Sequence, residues 1–198
     1  SLVPAVSADD DQANATPMTN GVSTNGYVCH DDGCSPNDQT DWWKMYAFMG
    51  DIVAVGFSGS MNNGAWWCID DGWEADFSIH DSAGTQIASQ SMSDAGSSTT
   101  LSTTMPAADW VYVKVKGLDS WCNDGVDYTL TPSINQDNRD TDEDGFIDNE
   151  DDCDVTSGTS TNDRNGCPDA DSDGWSDPDA NWTSGNGSGW QGTGDGNG

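Results

Sequence analysis

The sequence predicts an all-β fold, an antiparallel β-sandwich followed by an irregular acidic segment, and three observations carry that expectation. Short runs of Val, Ile, Phe, Tyr and Trp recur through residues 9–134, with Gly, Asn, Asp and Ser between them. That is the punctuation of strands and turns. No stretch sustains a 3.6-residue apolar period. Finally, Asp137 to Asp179 holds 16 of the chain's 35 acidic residues, offset there only by Arg139 and Arg164.

Taken in order, residues 1–8 (SLVPAVSA) read as a signal-peptide remnant with the mature chain starting near Asp9. If retained, they form an apolar N-terminal strand suited to pairing with a sheet edge. Asp41 to Met49 alternates, with Trp43, Met45, Ala47 and Met49 on one side. Gly50-Asp51 makes the turn, and Ile52 to Phe57 returns as a more buried strand. Phe77 and Ile79 lie on a strand ending at His80, and Asp81 to Gly84 turns into Thr85 to Ser89. Leu101 to Met105, Trp110 to Lys116 with Val111, Val113 and Val115 inward, and Val126 to Thr131 complete about eight strands, the count of a sandwich. Residues 135–180 carry the acidic repeats, and residues 181–198 are a Gly/Asn/Ser-rich linker.

A run of like charge this dense repels itself, and without further information would be read as disordered. Its spacing argues for order. Asp140, Asp142 and Asp144 alternate, Gly145 follows, then Asp148, and Asp151 stands at the twelfth place. A calcium loop uses oxygens at positions 1, 3 and 5, a glycine at 6, a backbone carbonyl at 7, here that of Phe146, and carboxylates at 9 and 12. The order recurs as Asp169, Asp171, Asp173, Gly174, the carbonyl of Trp175, and Asp177. In the second copy Ala180 occupies position 12, with Asp179 one place early, so the second loop is the weaker. Ca2+ is thus the expected cofactor, and it resolves the repulsion because it takes about six to eight oxygens. The long apolar helices of an EF-hand are missing on both sides.

The pattern from Asp140 to Cys153, with Asn165-Gly-Cys167-Pro-Asp-Ala-Asp-Ser-Asp-Gly174 after it, resembles the thrombospondin type 3 repeat. The resemblance implies a chain wrapped around calcium with little regular secondary structure. Upstream, Asp41-Trp-Trp43, Ala75-Asp76-Phe77-Ser-Ile79, Asp81-Ser-Ala-Gly84, Val111-Tyr-Val113 and Tyr128-Thr-Leu130 resemble the bacterial and archaeal pre-peptidase C-terminal domain. That implies a jelly-roll-like sandwich of the kind found beside secreted peptidases and in surface proteins. The Trp-rich stretches 62–73 and 121–124 depart from that family's pattern.

The net charge of −30, with five Lys and Arg in all, excludes a nucleic acid held through its phosphates. No apolar run approaches the roughly 18 residues of a membrane span, so direct membrane insertion is not expected. The six cysteines, Cys29, Cys34, Cys68, Cys122, Cys153 and Cys167, fit disulfides in an oxidising, extracellular setting. Zinc is disfavoured, because there is no C-x-x-C pair and His30 and His80 are not at ligand spacing. Neighbourhood in sequence favours Cys29 with Cys34, Cys68 with Cys122, and Cys153 with Cys167. Asn14, Asn181 and Asn186 head glycosylation sequons, in a composition where such triplets also arise by chance.

No catalytic set is visible. Gly56-Phe-Ser58-Gly-Ser60 approaches a nucleophile elbow but ends in Ser and precedes no helix, so it reads as a strand end and a turn. His30 and His80 read as surface residues. Of ten tryptophans, Trp43 reads as core. Trp66, Trp67, Trp73 and Trp121 fall in polar loops, where they either pack together near Cys68 or meet a partner. The expected protein is a non-enzymatic, calcium-stabilised extracellular structural or adhesive one. Its expected partners are its own copies in a polymer, other surface proteins, or glycans. The alternative is an accessory region of a secreted hydrolase that binds substrate through loop tryptophans.

Overall fold

The computed structural model describes residues 11–29, 38–62, 73–93, 97–118 and 125–177. After a short 3-10 turn at Gln12–Asn14 come nine strands: β1 Thr16–Pro17, β2 Thr24–Val28, β3 Thr40–Ala47, β4 Ile52–Asn62, β5 Glu74–His80, β6 Gln86–Ser93, β7 Ser98–Thr104, β8 Asp109–Gly117 and β9 Gly125–Asn135. There is no α-helix among the described residues.

The strands form one sheet in the order β1-β3-β8-β5-β6 and another in the order β2-β9-β4-β7. Leaving β1 aside, β2-β9-β4-β7 facing β3-β8-β5-β6 is the strand order of a jelly roll. All pairs are antiparallel except β1 with β3, which is parallel. Alternation explains the packing. On β8, Val111, Val113 and Val115 are fully buried, while Trp110, Tyr112, Lys114 and Lys116 point the other way. Facing them from the second sheet are Val53, Val55, Phe57, Val126, Tyr128 and Leu130. Each such side chain contributes roughly 1.5–3 kcal/mol on leaving water.

A polar cluster sits in this core. Asp41 is fully buried and accepts the Tyr128 hydroxyl, which in turn accepts the Trp43 indole N–H at 2.8 Å. Burial and the Asp41 charge push the Tyr128 phenol well above its ordinary range, so it stays a donor.

Several expectations change. β1 and β2 were not legible, since Thr16–Pro17 is two residues long and Thr24–Val28 contains a glycine. β3 ends at Ala47, so Met49 is not on its inward row; it makes an isolated bridge to Asp140. β4 runs on to Asn62 because β9 matches it residue for residue along eleven pairs. Gly56 to Ser60 is mid-strand, not a strand end and a turn. His80 is buried and not a surface residue: its ring packs on Trp42, Nδ1–H donates to the Gly84 carbonyl at 3.2 Å, and Nε2 meets the Ser78 hydroxyl at 2.9 Å. Trp73 is core, packed on Phe57. Residues 1–8 and 181–198, His30, Trp66, Trp67 and Trp121 lie outside the described residues.

The contact pattern divides the chain into two units. The first is the sandwich. The second comprises residues from Gln136 onward together with the turns Phe48–Asp51 and Pro106–Ala108. It has no regular secondary structure among its described residues and is held by turns, side-chain caps and a disulfide. Within it Arg139 makes a two-pronged ion pair with Asp51, at 3.0 and 2.9 Å, and lies over the Phe48 ring.

Candidate metal centre

Both acidic loops fold the same way, and the sequence explains why. Position 1 caps the glycine at position 6: Gly145 N–H donates to Asp140 Oδ2 at 2.9 Å, and Gly174 N–H to Asp169 Oδ2 at 2.8 Å. Position 5 caps position 7: Phe146 N–H donates to Asp144 Oδ1 and Trp175 N–H to Asp173 Oδ1, each at 2.9 Å. Position 9 caps position 2: Thr141 N–H reaches Asp148 at 2.7 Å and Ala170 N–H reaches Asp177 at 3.1 Å. Even the backbone repeats. Glu143 and Ser172, both at position 4, have φ of 61° and 62°, and Gly145 and Gly174 have φ of 100° and 89°. Two non-glycine residues in the left-handed region at one register position mark a loop shape that the surrounding bonds impose.

The result gathers carboxylates. Oxygens of Asp140, Asp142 and Asp144 lie within 4.8 Å of one another, as do those of Asp169, Asp171 and Asp173. The first group is the more enclosed, with Asp140 buried and its partners half-buried, whereas Asp171 and Asp173 are exposed. In the first loop, Asp140 Oδ1 and both oxygens of Asp142 are buried with no hydrogen-bond partner. No cation among the described residues pairs with Asp140, Asp142 or Asp144; Arg139, next in sequence, is committed to Asp51. Buried, unpartnered carboxylate oxygens are costly unless something cationic meets them. Burial raises the pKa of Asp142, as do the charges of Asp144, Asp151 and Asp140, against a smaller lowering by the weakly placed Asp144 backbone N–H. Burial also raises that of Asp151, with Asp144, Asp154 and Asp140 adding to it. Asp151, eleven residues beyond Asp140, therefore sits in the field of the triplet. An all-oxygen donor set of this kind suits a hard dication such as calcium and not zinc.

Asp148 does something else as well. Asp148 accepts from both the N–H and the hydroxyl of Thr141, the latter at 2.8 Å, so its carboxylate is used inside the loop. Residues beyond the sequence pattern complete the segment. Gly158 N–H donates to Asp144 Oδ2 at 2.9 Å, and Asp163 accepts both the N–H and the hydroxyl of Ser176 at 2.9 and 2.8 Å. Burial pushes the Asp163 carboxyl up, but its bonds from Ser176 and the Arg164 charge outweigh that and leave it low. Cys153 and Cys167 are disulfide-bonded with Cα atoms 5.1 Å apart, as expected. Cys29 is also disulfide-bonded, while Cys34, Cys68 and Cys122 lie outside the described residues. Asn14 is exposed and its side-chain amide donates to Asp11; Asn181 and Asn186 fall outside the described residues.

No protein-family model matches the chain, and neither does any curated protein sequence. Among solved structures it is similar to PliG of Aeromonas hydrophila, a periplasmic inhibitor of g-type lysozyme. The identity is 16%, the TM-score 0.41, and the match covers 61% of this chain and 95% of that one. It is also similar to the pre-peptidase C-terminal domain of a Bacillus anthracis collagenase, at 10% identity and TM-score 0.40, over 60% of this chain and 93% of that one. A CBM4 structure matches at 13% identity and TM-score 0.37, over 48% and 61%. No helix among the described residues is long and apolar enough to cross a membrane.

Proposed function

We propose that this is a calcium-stabilised, non-catalytic extracellular protein with a structural or adhesive role. In this reading a pre-peptidase C-terminal-like sandwich carries thrombospondin type 3-like calcium loops at residues 135–180. The observation behind it is the first loop, where three buried carboxylate oxygens of Asp140 and Asp142 lack any partner and a second loop repeats the same caps. Asp140, Asp142, Asp144, the Phe146 carbonyl and Asp151 hold the first ion, with Asp148 positioning the loop through Thr141. Asp169, Asp171, Asp173 and the Trp175 carbonyl hold the second more weakly, with Asp177 in the corresponding place. The disulfide of Cys153 and Cys167 supports an oxidising, extracellular location.

The test is calcium titration by calorimetry, with electron microscopy of the same samples before and after chelation. Saturable binding of two or more ions, with ordered assemblies lost on chelation, is the expected result. Binding without assembly would move the reading to an accessory module of a secreted hydrolase, and absence of binding would remove it.

A further inference from the structure

The chain has only five basic residues, and their distribution is uneven. Both arginines are used within the second unit: Arg139 pairs with Asp51, and Arg164 donates to Ser176 and to the Asp177 carbonyl. All three lysines lie on one surface, the outer face of the five-stranded sheet. Strand register places them there: Trp42 is opposite Lys114, Lys44 opposite Tyr112, Thr40 opposite Lys116, and Tyr46 opposite Trp110. The inward alternates on the same two strands are the fully buried valines and their partners.

None of the three lysines is in an ion pair among the described residues, in a chain with 35 acids. Two are instead matched to aromatic rings. Lys44 Nζ lies 5.4 Å from the Trp110 ring centre, and Lys114 Nζ lies 5.1 Å from that of Trp42. Trp110 and Tyr46 meet edge to face at 5.5 Å and remain 39% and 44% exposed. The acid closest in register, Asp76 opposite Lys116, accepts the Ser91 hydroxyl at 2.6 Å. From Trp110 to Lys116 the strip runs about 20 Å along β8 at roughly 3.3 Å per residue.

We propose that this face binds an extended glycan whose sugars carry carboxylates. Charge complementarity selects an anion, because among the described residues of the sandwich the lysines are gathered on this face, with Asp76 as the acid nearest them in register. The shape selects an extended chain, because the exposed Tyr46 and Trp110 rings lie at one end of a two-strand strip along which Lys44, Lys114 and Lys116 follow. A sugar ring presents apolar C–H groups to the exposed Trp110 and Tyr46 rings while its carboxylate reaches Lys44, and Lys114, held over the buried Trp42, and Lys116 meet the next carboxylates along the chain. This site is separate from the calcium loops and stands without them.

The experiment measures binding of the full chain to polygalacturonate, with fully methyl-esterified polygalacturonate as the uncharged counterpart, at one fixed calcium concentration. The expected result is binding to the acid and not the ester. The triple change Lys44→Gln, Lys114→Gln, Lys116→Gln should weaken it about tenfold or more, since each exposed ion pair contributes a few tenths to one kcal/mol. Glutamine keeps a stem over each Trp ring. Should the triple variant melt early, Lys116→Gln alone, which has no cation–ring contact among the described residues, is expected to weaken binding a few-fold and flatten its salt dependence. Equal binding by wild type and lysine variants would overturn the proposal, because it would assign capture to calcium bridging at the acidic loops they share. Equal binding of acid and ester, or none by wild type, would also overturn it. So would lysine variants that lose self-association in sedimentation while polygalacturonate binds no form, which would make a second copy the occupant.

Discussion

Asp142 has no well-formed hydrogen bond to either carboxylate oxygen, only the weaker pull of the Asp144 backbone N–H, whereas Asp148, six residues on, has both oxygens satisfied by Thr141. These two acids should therefore respond differently to substitution. Asp142→Ala is expected to remove one ion from the calorimetric stoichiometry while sparing the metal-free fold, since it also removes a buried repulsion. Asp148→Ala should keep the stoichiometry and weaken the first ion on the order of 10- to 100-fold, the usual effect of losing a group that orients a ligand. Gly166 has φ +70°, and a Cβ there would fall 2.2 Å from the Asp151 carboxylate. Gly166→Ala should cost about 1–2 kcal/mol for the left-handed backbone alone and in addition weaken calcium by displacing Asp151. Thermal melting with and without calcium separates the two effects.

At the scale of elements, β8 and β4 hold the sandwich. Phe57 stacks on Tyr128 and packs tilted against Phe77 and Trp73. Phe57→Ala should lower stability by about 3–5 kcal/mol in denaturant titration, leaving the calcium loops' stoichiometry unchanged. In the second unit, the segment around Asp163 ties one repeat to the next through Ser176. Its carboxyl is held low, so its stabilising effect is present above the ordinary carboxylate range near pH 4 and is lost as pH falls through the lowered value. Asp163→Asn should thus be destabilised by about 1–2 kcal/mol at neutral pH. The difference from wild type should shrink on acidification below pH about 4, as followed by circular dichroism.

At the scale of the whole molecule, the two units rest on different physics. The sandwich is closed by apolar burial, the second unit by caps, a disulfide and, in our reading, metal. Chelation should accordingly strip hydrogen-exchange protection from residues 137–177 while β3, β4 and β8 retain theirs. A site at a hundredfold excess of calcium over its dissociation constant adds about 2.7 kcal/mol, and the Cys153–Cys167 loop about 3 kcal/mol on the chain-entropy account. Reduction plus chelation should therefore unfold the segment where either alone leaves it partly protected.

Much of this was legible in the chain itself. Period-two runs such as Trp110 to Lys116 identify their own strands, because side-chain alternation is a local property. The Asp, Asp, Asp, Gly register identifies the shape of both loops, because the carboxylate caps that hold each turn come from one short stretch. Tertiary structure alone decided the rest. β1 and β2 are strands only because β3 and β9 pair with them, and His80 is buried only because Trp42 lies against it. The Asp163 and Ser176 tie has no repeat to announce it. The gathering of three lysines from two strands onto one face depends on how β3 and β8 register, and pairing between residues about seventy apart is not a local property of sequence.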